Sequence, residues 1–210
     1  MPTLPSAVRT PALLLASAAA ALSVTACGSS SSTSPATGST AAQATATAAS
    51  KPEVSPAGDI PDNQAYVPYT VPGAGLTVKV PEGWSRSAAG KATTFTDKLN
   101  AIRVETAPAS AAPSVASARK NDVRKLAAST PGYKAGTVTA VRRTAGAAIR
   151  ISYLSDAKAD PVTGKTHVNA VERYVFFRRG TDAILTLTGP KTADNVDPWK
   201  IVTNSVRWSR

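Results

Sequence analysis

Residues that carry metal, thiol or imidazole chemistry are scarce: among 210 residues there is one cysteine, Cys27, and one histidine, His167. A lone cysteine excludes a disulfide framework within the chain. One cysteine and one histidine cannot furnish the four ligands of a zinc site built from those residues. Carboxylates are also few, 13 Asp and Glu against 24 Lys and Arg, for a formal net charge of +11. Charge is nearly missing from the first part of the chain, where Arg9 is the one basic residue before Lys51. The first ~60 residues therefore do not pack, and the basic remainder suits a single folded unit of about 145 residues.

The uncharged start has internal order. Arg9 precedes an apolar stretch, Pro11 to Ala21, that contains Leu13, Leu14 and Leu15, and small residues follow. Such a stretch is too short to span a bilayer stably and reads as an export signal. It ends Leu22-Ser23-Val24-Thr25-Ala26-Cys27, which resembles the bacterial lipobox. That resemblance implies cleavage after residue 26, acylation of the Cys27 thiol, and a mature chain held on the extracytoplasmic face of the cell membrane. The sulfur then acts as a tether, and several acyl chains anchor stably because each buried methylene adds ~0.8 kcal/mol. Residues 27–58 are almost wholly Ser, Thr, Ala, Gly, Pro and Gln, with Lys51 and Glu53 the charges and Val54 the one large aliphatic side chain. They bury too little apolar surface to offset the entropy of ordering, and as a flexible spacer of about thirty residues they reach ~30 Å.

The pattern changes after Tyr66. Leu76, Val78 and Val80 alternate with Thr77 and Lys79, the signature of a half-buried strand, and Pro81-Glu82-Gly83 ends it. Further strands are predicted at Ala92 to Thr96, Ala101 to Thr106, Thr137 to Arg142, Ala147 to Leu154, His167 to Arg178 and Ala183 to Thr188. Between the second and third of these, Val115, Val123 and Leu126 share one helical face. That helix begins near Pro113 and stops before Pro131-Gly132. A last helix is predicted with Asp197 as its cap, Pro198 in its first position, and Trp199, Val202 and Val206 as a buried stripe. Short turns between consecutive strands specify an antiparallel sheet of six to seven strands. Helices set apart from the strand runs make the class α+β. Phe176 and Phe177 point to opposite faces of one strand, so both faces bury apolar surface, and Trp84, Tyr174, Trp199 and Trp208 are read as core.

Val71 to Trp84, a strand running into Val80-Pro81-Glu82-Gly83-Trp84, resembles the opening of PsbP-like domains. The block Arg173 to Phe177, Gly180, Ala183 to Thr188 and Trp199 to Trp208 is similar to the closing hairpin and last helix of that fold. The resemblance covers most of Tyr66 to Arg210. It implies a PsbP-like α/β/α sandwich over residues 59–210, as in the extrinsic P subunit of photosystem II, a Ran-binding nuclear import factor and the LpqN-type lipoproteins of actinobacteria. With the lipobox, the last group is nearest in kind. Members of the family bind or assemble and have no common active site, so the fold alone assigns no function.

Chemical motifs are weak. His167 stands at a strand end, with Glu172 and Asp160 as orienting carboxylates only by proximity in sequence and no nucleophile-elbow motif. The loop from Asp156 begins like a calcium loop but has Lys158 where an oxygen ligand is needed and Pro161 where a glycine turn is needed. Gly73-Ala74-Gly75 precedes a strand, so it is a turn and not a phosphate loop. The remaining signal is basic: Arg119, Lys120, Arg124 and Lys125 lie on the first helix against Asp122 alone. Outside the cell their partner is an anionic envelope polymer, headgroup surface or envelope protein, not nucleic acid. The expectation is a non-enzymatic binding or assembly module of the cell envelope without cofactor or metal. A carrier or sensor of a small amphiphile would need an apolar pocket between sheet and helix. A hydrolase would need ionisable groups gathered near His167.

Overall fold

The computed structural model describes residues 56–160 and 162–209. The export signal, Cys27 and the tether as far as Ser55 lie outside the described residues. Among the described residues, ten strands form two antiparallel sheets, and the fold is α+β. The large sheet has seven strands in the order β3-β4-β5-β9-β8-β7-β6, and a small one has the order β1-β2-β10. In chain order they are β1 Tyr66–Val71, β2 Leu76–Pro81, β3 Ser85–Ala89, β4 Ala92–Asp97, β5 Asn100–Pro108, β6 Lys134–Arg143, β7 Gly146–Asp156, β8 Val168–Arg178, β9 Thr181–Pro190 and β10 Arg207–Trp208.

The seven strands of the large sheet are not the seven read from the sequence. Leu76 to Val80 does form a strand, but it lies at the centre of the small sheet. The seventh place in the large sheet belongs to β3, an edge strand whose five residues are all exposed and carry no alternating pattern. Edge position explains β1 as well. Pro68 in its middle has no N–H to donate, which an outer strand tolerates.

Register gives the large sheet two different faces. On one, Phe95, Ile102, Val104, Ala148, Tyr174, Phe176, Leu185 and Leu187 pack against Tyr69, Val71, Leu76, Val78 and Val80 of the small sheet and against Trp199, Val202 and Val206. On the other, Val138, Ile149, Ile151, Tyr153 and Val171 pack against Val115, Ala118, Val123 and Leu126. Each fully buried side chain of this kind contributes ~1.5–3 kcal/mol. Core on both faces follows from β7 and β8 reading apolar at both parities.

The first helix carries an irregularity. α1 (Val115–Ser117) begins at a reciprocal serine cap, Ser117 N–H donating to Ser114 Oγ at 3.0 Å and Ser114 N–H to Ser117 Oγ at 2.8 Å. A wide turn of π type follows over Ala118–Asp122, then α2 (Val123–Ser129). In a regular α-helix five residues advance about 500°, which would set Ala118 and Val123 about 140° apart. Instead the Val123 N–H bonds the Ala118 carbonyl five residues back, and both side chains meet the sheet.

The last helix, α3 (Val196–Asn204), starts two residues earlier than Asp197 capping would place it. Asn195 precedes it and does not cap it. Its amide instead accepts from Ile60 N–H at 2.9 Å and donates to the Gly58 carbonyl at 3.1 Å and to Asn100 Oδ1 at 3.0 Å. Asn100 Nδ2 donates to the same Gly58 carbonyl at 2.8 Å. This buried amide cluster fastens the start of the domain to β5 and α3.

Candidate functional site

The site is built from strand parity. In β7, Ile149, Ile151 and Tyr153 turn to the first helix, so Arg150 and Ser152 turn to the other face. Pairing sets Arg150 opposite Tyr174 and Ser152 opposite Glu172 on β8, which brings Glu172 and Tyr174 to the same side. α3 lies over that face, presenting Val196, Trp199 and Lys200. Between helix and strands is a cleft of about 400 Å³, of a size that takes small ligands. At its edge the β6–β7 register shifts between Ala135 and Val138. Gly136 is required there, since a Cβ would come within 2.4 Å of the Ser152 carbonyl oxygen.

A chain of hydrogen bonds crosses the cleft wall. Tyr174 OH donates to Glu172 Oε2 at 2.7 Å and Arg150 Nη1 donates to Glu172 Oε1 at 3.3 Å. Arg143 Nη2 donates to Tyr174 OH at 3.0 Å, and its Nε donates to Thr203 Oγ1 on α3 at 3.0 Å. The Arg143 guanidinium lies 5.1 Å above the Tyr174 ring. Burial, and next the hydrogen bond and charge of Glu172, raise the Tyr174 phenol above its ordinary pKa while Arg143 opposes them. The phenol therefore stays a neutral donor. Arg143, Arg150, Lys191 and Lys200 line the cleft against the single carboxylate Glu172, beside apolar Leu154, Ala170, Pro190, Ala193 and Val196. Two donors, Arg150 Nε and Trp199 Nε1, are buried without a hydrogen-bond partner.

The sequence reading did not single out Arg150, Trp199 or Lys200 as binding residues, and it placed Glu172 beside His167. Glu172 instead serves Tyr174 and Arg150. Asp160 is also engaged elsewhere, accepting from the backbone N–H groups of Val162 at 3.0 Å and Thr163 at 2.7 Å, which with the Thr163 hydroxyl lower its pKa. The loop is thereby an ordinary turn. His167 is half-buried, immediately precedes β8, and lies outside the cleft lining. Gly73 and Gly75 have left-handed φ of 68° and 57° in the β1–β2 turn. Among the described residues there is no group of three or more His, Cys, Asp or Glu able to hold a metal ion.

A second cavity, of about 460 Å³, lies at the other end of the same face and is lined by Tyr69, Arg86, Lys91 and Thr93. There Tyr69 OH is 2.8 Å from Thr93 Oγ1, and the Arg86 guanidinium stands 5.1 Å from the Tyr69 ring centre. Arg119, Lys120, Arg124 and Lys125 are all exposed along the first helix. None belongs to the three ion pairs among the described residues, whose members are Arg103, Glu105, Arg150, Glu172 and Arg173. No described helix is long and apolar enough to cross a membrane.

Fold and cleft define an α+β domain with a ligand-sized, cation-rich opening between sheet and terminal helix. No family model and no curated protein matches the chain. Solved structures similar to it include cyanobacterial PsbP from Synechocystis, 14% identical with a TM-score of 0.47 over 76% of this chain and 97% of that one. The Ran-binding protein Mog1p of Saccharomyces cerevisiae is 13% identical, TM-score 0.44, over 61% of this chain and 79% of that one. A protein of Bacteroides thetaiotaomicron is 11% identical, TM-score 0.43, over 65% of this chain, and this chain spans 46% of its length.

Proposed function

We propose that the chain is a non-enzymatic binding module of the bacterial cell envelope, of the LpqN type, held at the outer face of the membrane by a lipid on Cys27. It takes a small amphiphilic ligand in the cleft between α3 and strands β6 to β8. The observation that carries the reading is that cleft, about 400 Å³ with apolar and polar walls. Its location rests on the lipobox-like end of the leader and the uncharged tether. Binding rather than catalysis is supported by how its groups are used. Ser152 Oγ accepts from Thr137 N–H at 2.9 Å and holds the β6 irregularity, with no imidazole or carboxylate bonded to it. Glu172 is tied to Tyr174 and Arg150.

Filling the cleft tests this. Ala170→Trp is expected to abolish binding of a fluorescent amphiphile such as anilinonaphthalene sulfonate while the folded circular-dichroism spectrum is kept. A folded variant that bound the dye as well as the parent would remove the cleft as the ligand site. A second reading has its own observation, the four exposed cations on the first helix: they dock the domain on an anionic envelope surface.

A further inference from the structure

Taking the cleft as a ligand site, as above, we infer that it selects an acidic amphiphile, with a carboxylate or phosphate headgroup bound by Arg150 and the apolar part lying along Leu154 and Val196. The two arginines of the cleft differ in how their donors are used. Arg143 spends all three nitrogens within the fold, on Thr203, on Tyr174 and, through Nη1 at 3.3 Å, on the Arg142 carbonyl. It is a brace between β6, β8 and α3. Arg150 makes one hydrogen bond, 3.3 Å from Nη1 to Glu172, and its side chain remains 32% exposed at the cleft wall. A guanidinium offers five donors in a planar fork that fits two oxygens of one anion. Glu172, with its second oxygen held by Tyr174, orients that fork without satisfying it.

Trp199 is 7% exposed and packs into the core beneath the cleft, so it forms part of the floor. The unused guanidinium donors of Arg150 are the groups that call for ligand oxygen. The field favours charge on that oxygen, since Arg143, Arg150, Lys191 and Lys200 face Glu172 alone, with Lys191 and Lys200 exposed. An inorganic anion would satisfy the donors but leave the apolar wall of Leu154, Ala170 and Val196 uncovered. The structure therefore points to an acid that also has a hydrocarbon part.

Calorimetric titration of the full chain in phosphatidylcholine nanodiscs, corrected for empty nanodiscs, separates the possibilities with four probes: octyl phosphate, octanoate, octyl glucoside and inorganic phosphate. The two acidic amphiphiles are expected to bind most tightly. Arg150→Gln should weaken them by about tenfold to a hundredfold, the worth of one charge-assisted hydrogen bond, and leave octyl glucoside unchanged. Arg150→Lys should recover only part, because a point charge lacks the fork. Lys200→Glu, at an exposed position, should weaken acidic probes without touching the core and keeps the test open if the Arg150 variants do not fold. Equal affinity for octyl glucoside would overturn acid selectivity and leave the cleft reading standing. Inorganic phosphate binding as tightly as octyl phosphate would reduce the site to an anion site. No binding of any probe would overturn the cleft reading itself.

Discussion

Replacing Asn195 with leucine, which has the same branching of side-chain heavy atoms and cannot hydrogen bond, is expected to destabilise the domain by about 3 kcal/mol. The side chain is 4% exposed and makes three bonds, to Ile60 N–H, the Gly58 carbonyl and Asn100 Oδ1. Gly58 would keep its bond from Asn100 Nδ2. Ile60 N–H and Asn100 Oδ1 would lose their partners. Each buried group left unsatisfied costs roughly 1–3 kcal/mol, and the added apolar contact of leucine offsets about 1 kcal/mol. In a domain of this size the net loss lowers Tm by about 10 °C. Urea unfolding followed by circular dichroism should show a lower midpoint at unchanged slope, because the change removes stability without altering the surface exposed on unfolding. Amide exchange at Ile60 should rise toward that of a free segment. In a double-mutant cycle, Asn195→Ala and Asn100→Ala should be strongly non-additive, since each removes the other's partner. An unchanged midpoint, or additive losses, would refute the view that these amides clamp the start of the domain.

Asp182→Asn should stabilise the fold at neutral pH. Burial, and next the charge of Asp122 on the first helix, raise the Asp182 carboxyl above its ordinary pKa, against Arg173. Its contribution is thus fully present below the ordinary carboxylate range and is lost as pH rises through the raised value. The gain in Tm should accordingly vanish in acid, and a gain that persisted there would contradict the assignment. Reversing Lys120, Arg124 and Lys125 to Glu should abolish cosedimentation with anionic liposomes at low salt and leave Tm unchanged. Each such cation contributes ~1 kcal/mol near an anionic surface, and binding as strong as the parent's would leave the charge as a solubility feature. Cys27→Ala should shift the chain out of the detergent phase, and unchanged partitioning would sink the anchor.

Most of the large sheet was readable because β5, β7 and β9 hold alternating runs and β8 is a long stretch rich in Val, Tyr and Phe, and long patterns survive local noise. β1, β3 and β10 were not. β1 contains Pro68 and buries only Tyr69 and Val71, β3 is exposed throughout and β10 is two residues long, so none shows a long alternating run. The π turn was hidden for a related reason: Val115, Val123 and Leu126 fit a plain helix once Ala118 is ignored, and alanine is a weak marker of burial. The cleft was the least legible feature. Arg150 and Glu172 each interrupt an apolar strand at the parity opposite to Ile149 and Val171, which marks them as facing a different environment from those residues. Their meeting, however, depends on the β7–β8 register and on α3 crossing above them. Neither is a property of any local stretch. Arg143 is the opposite case: beside Arg142 at the end of β6 it has the sequence of a basic surface pair, yet it braces Tyr174 and Thr203.

The wide turn at Ala118–Asp122 bears on the solvent side of the first helix as much as on its buried side. In a plain α-helix, side chains five apart drift around the axis, and a row of cations would wind away from any flat surface laid against it. The turn absorbs one residue without advancing the phase. Arg119 and Arg124, and likewise Lys120 and Lys125, are each five apart across it. The device that keeps Ala118 and Val123 on the sheet thus also straightens two files of positive charge along the outer side. On the docking reading proposed above, a planar array of phosphates would meet both files at once.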